Sequence, residues 1–467
     1  MSSRRSRRLA PPLSAAALGL CLVASSPAHA WEAATTHVGL AEEAALASAL
    51  HKRLVEAGFS GGLFEVLAIP PAEAPELMAA LRLHSPTHGT VPDARGRMTA
   101  MSWLAAGAAL ADTPVAYAAN HFFDPTTGRG WQAPSVPALE ALWRKLRPLA
   151  PLPAVGVPAP DWVLDPKNPL GVEAFWSQYH KALLAGNAAD RARHMAAALV
   201  AAGATLHVLG DVGTPSHARA DAAAHFEPLS ADDGDVGSRF DRLTALAFGR
   251  LGVPAPGRVV TRASVRAFFS NPERTGLADL VSAGYFSAGT LPADTLLRSS
   301  GAPSPALARP KPDVGSLALM SAARDEGATL KDAHGVCLAR YRVERSVLSF
   351  FFDDACLLEQ AQAILPEVAA YETGLLDFLL RGRLTVRQEG GALVVSSLAK
   401  LGAGQVDILL EDARGQRSVL KTQAVSGAAA GELLRLGAPA GSRALAVFRG
   451  KDEAGEPVIA VGSAALE

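Results

Sequence analysis

The chain has 467 residues, of which 49% are hydrophobic and 19% charged, and a formal net charge of −1. That length supports two or more domains and a large core. The balanced charge excludes a uniformly basic, nucleic-acid-coating surface, and with no run of 18 apolar residues beyond the first thirty, no membrane span is expected.

Residues 4–8 hold four arginines, residues 13–25 form an apolar run, and Ala28-His29-Ala30 has the small-x-small pattern of a cleavage site. Residues 1–30 therefore read as a signal peptide, and the product as secreted or periplasmic, with a net charge of about −5 once the leader is gone. Leu20 stands before Cys21 where a lipoprotein signal needs a small residue, so a lipid anchor is disfavoured. Ser3-Arg4-Arg5 and Arg7-Arg8 weakly evoke a twin-arginine signal, but an ordinary basic leader explains them better. Cleavage would make Trp31 the first residue. A free α-amine beside its own carbonyl oxygen is a five-membered chelate, and His37 follows six residues later.

Apolar residues at i, i+3 and i+4 with alanine-rich faces predict helices over 37–56, 95–111, 171–186, 188–212 and 340–380. Proline- and glycine-rich stretches such as Leu152–Pro160 separate them; the longest, Ser287–Gly315, carries five prolines and reads as an insertion or surface loop. Cys337 and Cys356 lie beyond the leader without zinc-site spacing, and one disulfide or two free thiols are equally expected.

After Gly382 the pattern changes to short runs, Leu384–Arg387, Ala392–Val395, Val406–Leu410, Arg443–Phe448 and Pro457–Val461, separated by turn signals such as Glu389-Gly390-Gly391. The fold expected is mainly α: an all-helical domain over 31–381, followed by a small β-sandwich over 382–467.

His207-x-x-x-Asp211-x-x-x-x-x-His217 is the strongest internal signal. On a helix His207 and Asp211 are i and i+4 and converge on one face, while Gly213-Thr214-Pro215 breaks the helix and returns His217 toward it. Imidazole and carboxylate together suit Zn²⁺. An HxxxD pair alone is as often a packed core pair; the Pro-x-His continuation favours the metal. Asn120-His121-Phe122-Phe123-Asp124-Pro125 sets a histidine among aromatics, with Asp112 nine residues before it. His225-Phe226-Glu227 and Ser238-Arg239-Phe240-Asp241 add a histidine and two carboxylates. Singly, each has a plain explanation: Asp112 as a helix cap, Glu227 or Asp241 as surface charge. Together with Trp31 and His37 they supply ligands for more than one metal.

These segments, roughly Trp31–Arg250, resemble the zinc-dependent phospholipase C family, whose relatives are three-zinc single-strand nucleases. Leu365-Pro366, Tyr371-Glu372-Thr373-Gly374 and Gly382 resemble, more weakly, the last helix of bacterial members. The resemblance implies one zinc on the Trp31 amine and carbonyl, His37 and a bridging Asp211. It implies a second on Asp112, His121, His207 and Asp211, and a third on His217 with a later histidine and carboxylate. The family places that carboxylate four residues after the histidine; here Gly237 precedes Asp241 by four, so His225 with Asp241 or Glu227 is the substitute set.

The implied activity is phosphodiester hydrolysis by a zinc-activated hydroxide, with the ions also stabilising charge on attacking and leaving oxygens. Asp112 is the candidate for orienting or deprotonating the water, Glu32 a remoter one. A phospholipid is the first-ranked substrate, with peripheral membrane contact through the C-terminal domain. A nuclease ranks second, since only 6% of residues are aromatic and single strands are held by stacking. A non-catalytic, metal-stabilised binding or envelope protein is the alternative from another class. His180 and His194 read as packed or supporting residues, His84 and His88 as flanking a turn that could line a cleft, and His51 and His334 as having no defensible partner.

Overall fold

The computed structural model describes residues 35–84, 90–133, 154–228, 236–296, 309–313, 328–437 and 441–466. Trp31, Glu32 and His88, with the leader over 1–30, lie outside them, as do the side chains of His84 and Glu227. The helices used below are α1 (Thr36–Ala47), α2 (Leu50–Glu56), α3 (Pro75–His84), α4 (Ala100–Leu110), α5 (Ala159–Leu164), α6 (Val172–Leu184), α7 (Ala188–Asp211), α8 (Pro215–Ala218), α9 (Arg239–Ala247), α10 (Val265–Phe269), α11 (Leu277–Gly284) and α12 (Asp354–Leu379).

Helix α7 is the axis of this assembly. Asn187 caps it by accepting from the Asp190 amide, and its second half, Ala198 to Asp211, is buried all round. Its length and apolar composition would suit a membrane span, yet most of its apolar stretch is buried within the molecule. Against it lies α4, capped by Thr99 on the Ser102 amide. The two cross in direct backbone contact at two glycines. A Cβ on Gly203 would fall 1.9 Å from the Leu104 carbonyl oxygen, and one on Gly107 would fall 2.1 Å from that of Val200. Only glycine fits either place.

Helix α12 packs against both α1 and α7, and its start is fixed by Asp353, which accepts from the Cys356 amide. The predicted helix over 340–380 is therefore correct only from Asp354. Residues before it form a hairpin of strands β7 (Cys337–Glu344) and β8 (Val347–Phe351). Arg345 and Ser346 turn the chain with φ of 48° and 63°, the left-handed pair that a two-residue hairpin turn demands. Alternation of buried Tyr341 with exposed Arg342 and Glu344 is the strand signal that a helical reading of this stretch passed over. With β5 (Thr295–Leu296) and β6 (Ala328–Lys331) the hairpin makes a four-stranded sheet in the order β5-β8-β7-β6. Part of the Ser287–Gly315 stretch thus enters a sheet, through β5. Cys337 and Cys356 are disulfide-bonded, tying β7 to the first turn of α12. Two-stranded ladders also join β1 (Val66–Ala68) to β2 (Arg97–Thr99), and β3 (Glu227–Pro228) to β4 (Val236–Gly237). The expectation of an all-helical first domain is corrected accordingly, and the chain is not all-α.

From Gly382 onward the chain is β: β9 (Gly382–Glu389), β10 (Ala392–Ser397), β11 (Leu401–Glu411), β12 (Arg417–Ala428), β13 (Gly431–Gly437), β14 (Arg443–Asp452) and β15 (Pro457–Ala465). Their hydrogen bonds run through one seven-stranded order, β12-β11-β14-β15-β9-β10-β13. Strand β14 shows why its sequence is apolar without alternation. Ala444, Ala446 and Phe448 face a core shared with Leu393, Val395 and Leu434, whereas Leu445 and Val447 join the helical core. Both of its faces are buried.

Candidate metal centre

Four elements bring the polar residues together. Asp211 ends α7 with 1% of its surface exposed, and His207 lies one turn earlier, equally buried. His207 Nε2 is 3.1 Å from Asp211 Oδ2 and 3.4 Å from Asp112 Oδ2, just beyond α4. His121 Nδ1 is 2.6 Å from Asp211 Oδ2 and 3.2 Å from Asp112 Oδ1. From α1, His37 Nε2 reaches Asp211 Oδ1 at 2.9 Å, its ring stacked on His207 with centroids 3.6 Å apart. Asp211 is thus shared by three histidines through both of its oxygens.

His207 Nδ1 lies 2.6 Å from the Ala108 carbonyl oxygen, which can only accept, so Nδ1 carries the hydrogen. In the neutral ring Nε2 is then a lone pair, facing the carboxylate oxygens of Asp112 and Asp211. Three acceptors around one point require a cation. Ligand atoms of Asp112, His121, His207 and Asp211 all lie within 4.8 Å of one another, and all four residues are buried. Tetrahedral zinc with nitrogen and oxygen ligands at about 2.0–2.2 Å would set neighbouring donors roughly 3.3 Å apart, close to what is found. The donor set fits zinc.

The electrostatics of the side chains point the same way. Burial alone would push Asp211 up, but the charges of His207 and His37 and hydrogen bonds from His121 and His207 hold it well below the usual carboxylate range. Burial would lower His207, yet Asp211 and Asp112 outweigh it and raise its pKa well above the ordinary value. Burial and the charge of His207 push His37 down to about 4, and burial pushes His217 well below its ordinary range. Both rings are neutral near pH 7, the form in which imidazole binds metal.

A second group gathers one helical turn beyond α7. The Thr214 hydroxyl donates to Asp211 O at 2.9 Å and has one hydrogen, so at 2.9 Å it accepts from His217 Nδ1, leaving His217 Nε2 as a lone pair. The His217 ring stacks on Phe122, with centroids 3.9 Å apart, and the Phe123 amide donates to His217 O at 2.9 Å. Aromatic residues beside His121 therefore position His217. His225 stands edge-on to His217 at 4.8 Å, and its Nδ1 is 3.6 Å from Asp241 Oδ2. Ser238 caps α9 and places Asp241 in its first turn. A pocket lined by Pro215, Ser216, Ala224, Ser238, Arg239 and Phe240 opens beside this group, its walls the chain neighbours of His217, His225 and Asp241.

Other histidines are separate. His194 Nδ1 donates to Gln178 Oε1 at 2.8 Å, His51 Nδ1 accepts from the Leu63 amide at 3.3 Å, and His180 lies 3.9 Å from Asp407. One residue to which the sequence reading gave no role belongs here: Glu372 of α12, 1% exposed. Burial pushes its carboxyl well above the ordinary range; His207 offsets that in part and Asp211 adds to it. Its sequence signal was a carboxylate on an apolar i, i+4 stripe with Val368 and Leu376.

No protein-family model and no curated protein matches the chain. Among solved structures it is similar to the alpha toxin from Clostridium absonum, at 11% identity and a TM-score of 0.29, over 94% of this chain and 96% of that one. It is similar at the same identity and TM-score to the Clostridium perfringens alpha-toxin isolated from an avian strain, over 94% of this chain and 99% of that one.

Proposed function

We propose that the chain is an exported zinc-dependent phosphodiesterase, acting on phospholipid headgroup esters in the manner of a phospholipase C. The observation that carries this reading is the buried convergence of Asp112, His121, His207 and Asp211, with the His207 lone pair already aimed by Ala108. Bound zinc would supply Lewis acidity and lower the pKa of its water toward neutrality, which is what hydrolysis of a phosphodiester needs. Asp112, His121, His207 and Asp211 would hold one ion. His37 and Asp211, with the Trp31 amine and carbonyl, would hold another, and His217, His225 and Asp241 a third. Asp112, in contact with His121 and His207, would orient an attacking water and receive its proton. The C-terminal β unit would meet the lipid surface.

The test has two parts. Zinc content of the purified protein is measured first: near three equivalents supports a catalytic centre, and none in a folded protein overturns it in favour of a binding or envelope role. Release of diacylglycerol from phosphatidylcholine vesicles is then compared with nucleotide release from single-stranded DNA. Diacylglycerol release supports the proposal; nucleotide release alone replaces it with the nuclease reading.

A further inference from the structure

Glu372 is a charged residue at a core position with neither carboxylate oxygen in any hydrogen bond. Two other buried carboxylates are well supplied: Asp279 accepts from Ser270, Asn271, Arg274 and Gly276, and Asp407 from Gln405 and Thr422. An unpaired buried carboxylate is disfavoured unless a proton or cation answers it. Its surroundings identify which. Helix α12 is seated on the end of α7 at two glycines: Val368 Cγ2 is 2.4 Å from where a Cβ on Gly213 would be. A Cβ on Gly210 would stand 2.6 Å from Glu372 Oε1 and 3.3 Å from His37 Nδ1. Glu372 Oε1 and the Nδ1 edge of His37 therefore flank one point, while the Nε2 edge of His37 faces Asp211 at 2.9 Å.

A neutral imidazole that binds a metal through one nitrogen must place the hydrogen on the other, and a metal-bound histidine commonly gives it to a carboxylate or carbonyl that fixes the ring. In this centre Ala108 O serves His207 and the Thr214 hydroxyl serves His217. On His37 the carboxylate on the Nδ1 edge is Glu372. We propose that Glu372 is a positioning carboxylate of the metal centre: with a cation between His37 and Asp211, it accepts the Nδ1 hydrogen of His37, directly or through one water, and holds Nε2 on the cation. This rests on the metal centre of the preceding section but not on its substrate. Gly210 belongs to the same device, since any side chain there would displace the carboxylate.

Zinc titrated into chelator-treated protein, in competition with a chromophoric chelator, tests the assignment in wild type, Glu372→Gln and Glu372→Met. Met at 372 is expected to weaken one ion by about 10–100-fold and leave the ion on Asp112, His121 and His207 unchanged, with Gln intermediate. In zinc-loaded wild type the His37 Nδ1 proton should give a downfield resonance, which moves upfield in E372M. In chelator the midpoint of E372M should equal or exceed that of wild type, because an unpaired carboxylate has gone. Wild-type zinc affinity in E372M, or in E372Q should E372M not fold, overturns the proposal. So does a midpoint in chelator that falls as far as the one in zinc. A wild-type protein that binds no zinc removes the metal centre itself.

Discussion

His207 gives its Nδ1 hydrogen to the carbonyl oxygen of Ala108 at 2.6 Å, across the crossing of α4 and α7. The helices touch at Gly107, next to Ala108, and at Gly203, one turn before His207. The bond converts a packing contact into a chemical instruction, the direction of the Nε2 lone pair. Gly203→Ala should break the chain of effects, since its Cβ would meet the Leu104 carbonyl at 1.9 Å and backbone cannot swing aside. The expected loss is about 1–3 kcal/mol of stability in chelator, with zinc affinity down roughly 10–100-fold as His207 loses its partner. Urea midpoints with chelator, and zinc competition without it, measure the two effects. Unchanged affinity in a destabilised variant would detach the crossing from the site.

Asp211 and Asp112 should differ in what their loss removes. Asp211 touches His37 through Oδ1 and His121 and His207 through Oδ2, whereas the contacts of Asp112 are to His121 and His207. Asp211→Asn is expected to cost two ions and Asp112→Asn one, as read by bound zinc after gel filtration. Equal losses would mean that Asp211 does not bridge.

Part of this centre was legible in the sequence and part was not, for definable reasons. Side chains whose chemistry is local in sequence announced themselves: the i, i+4 spacing of His207 and Asp211, and the proline-directed return of His217. Periodicity showed the helices with long buried faces, and the change of pattern at Gly382 coincides with the start of β9. Three things stayed hidden. The β7–β8 hairpin carries its turn on Arg345-Ser346 rather than on glycine or asparagine, so the usual punctuation is missing. Ala108 contributes a carbonyl, which no side-chain motif records. Glu372 lies 161 residues along the chain from Asp211, and the seating of α12 on Gly210 and Gly213 is what brings it to the site.

If Trp31 is the processed terminus, its amine can join His37 and Asp211 only when free. Protein carrying a methionine or tag ahead of Trp31 should hold one zinc fewer than protein beginning at Trp31 and lose most activity. Equal zinc content in the two forms would remove Trp31 from the ligand set and leave the Asp112, His121, His207 and Asp211 cluster intact.

Arg417 of β12 should be a latch between the β unit and the helices. Its side chain is 1% exposed; Nη1 donates to Leu183 O at 3.0 Å, Nη2 to Ala57 O at 3.2 Å, and Nε to Glu411 Oε2 at 2.8 Å. Arg417→Met leaves Glu411 without its partner, a change worth roughly 3 kcal/mol when such a pair is buried and less for the half-buried Glu411. Calorimetry should show a lower midpoint, with the β unit becoming sensitive to protease before the helices. A single transition at the wild-type temperature would show that the sheet is held by its apolar face alone.

His180 supplies a pH dependence at the same junction. It lies on α6, mostly buried, with Arg449 of β14 and Asp407 of β11 as the charges facing it. Burial, then the Arg449 charge, lower its pKa below the ordinary 6.5, and Asp407 offsets this only in part. The unfolded chain therefore binds a proton at His180 that the folded chain resists. Above pH 6.5 neither state is protonated there and the residue makes no difference; below it the unfolded state gains the proton first, so stability falls. Other groups titrate over the same range, so the informative quantity is the difference between wild type and His180→Gln. Urea midpoints at pH 7.5 and 5.5 should show wild type losing more than the variant on acidification. Parallel losses would mean that water reaches His180 in the folded protein and relieves both burial and the Arg449 field.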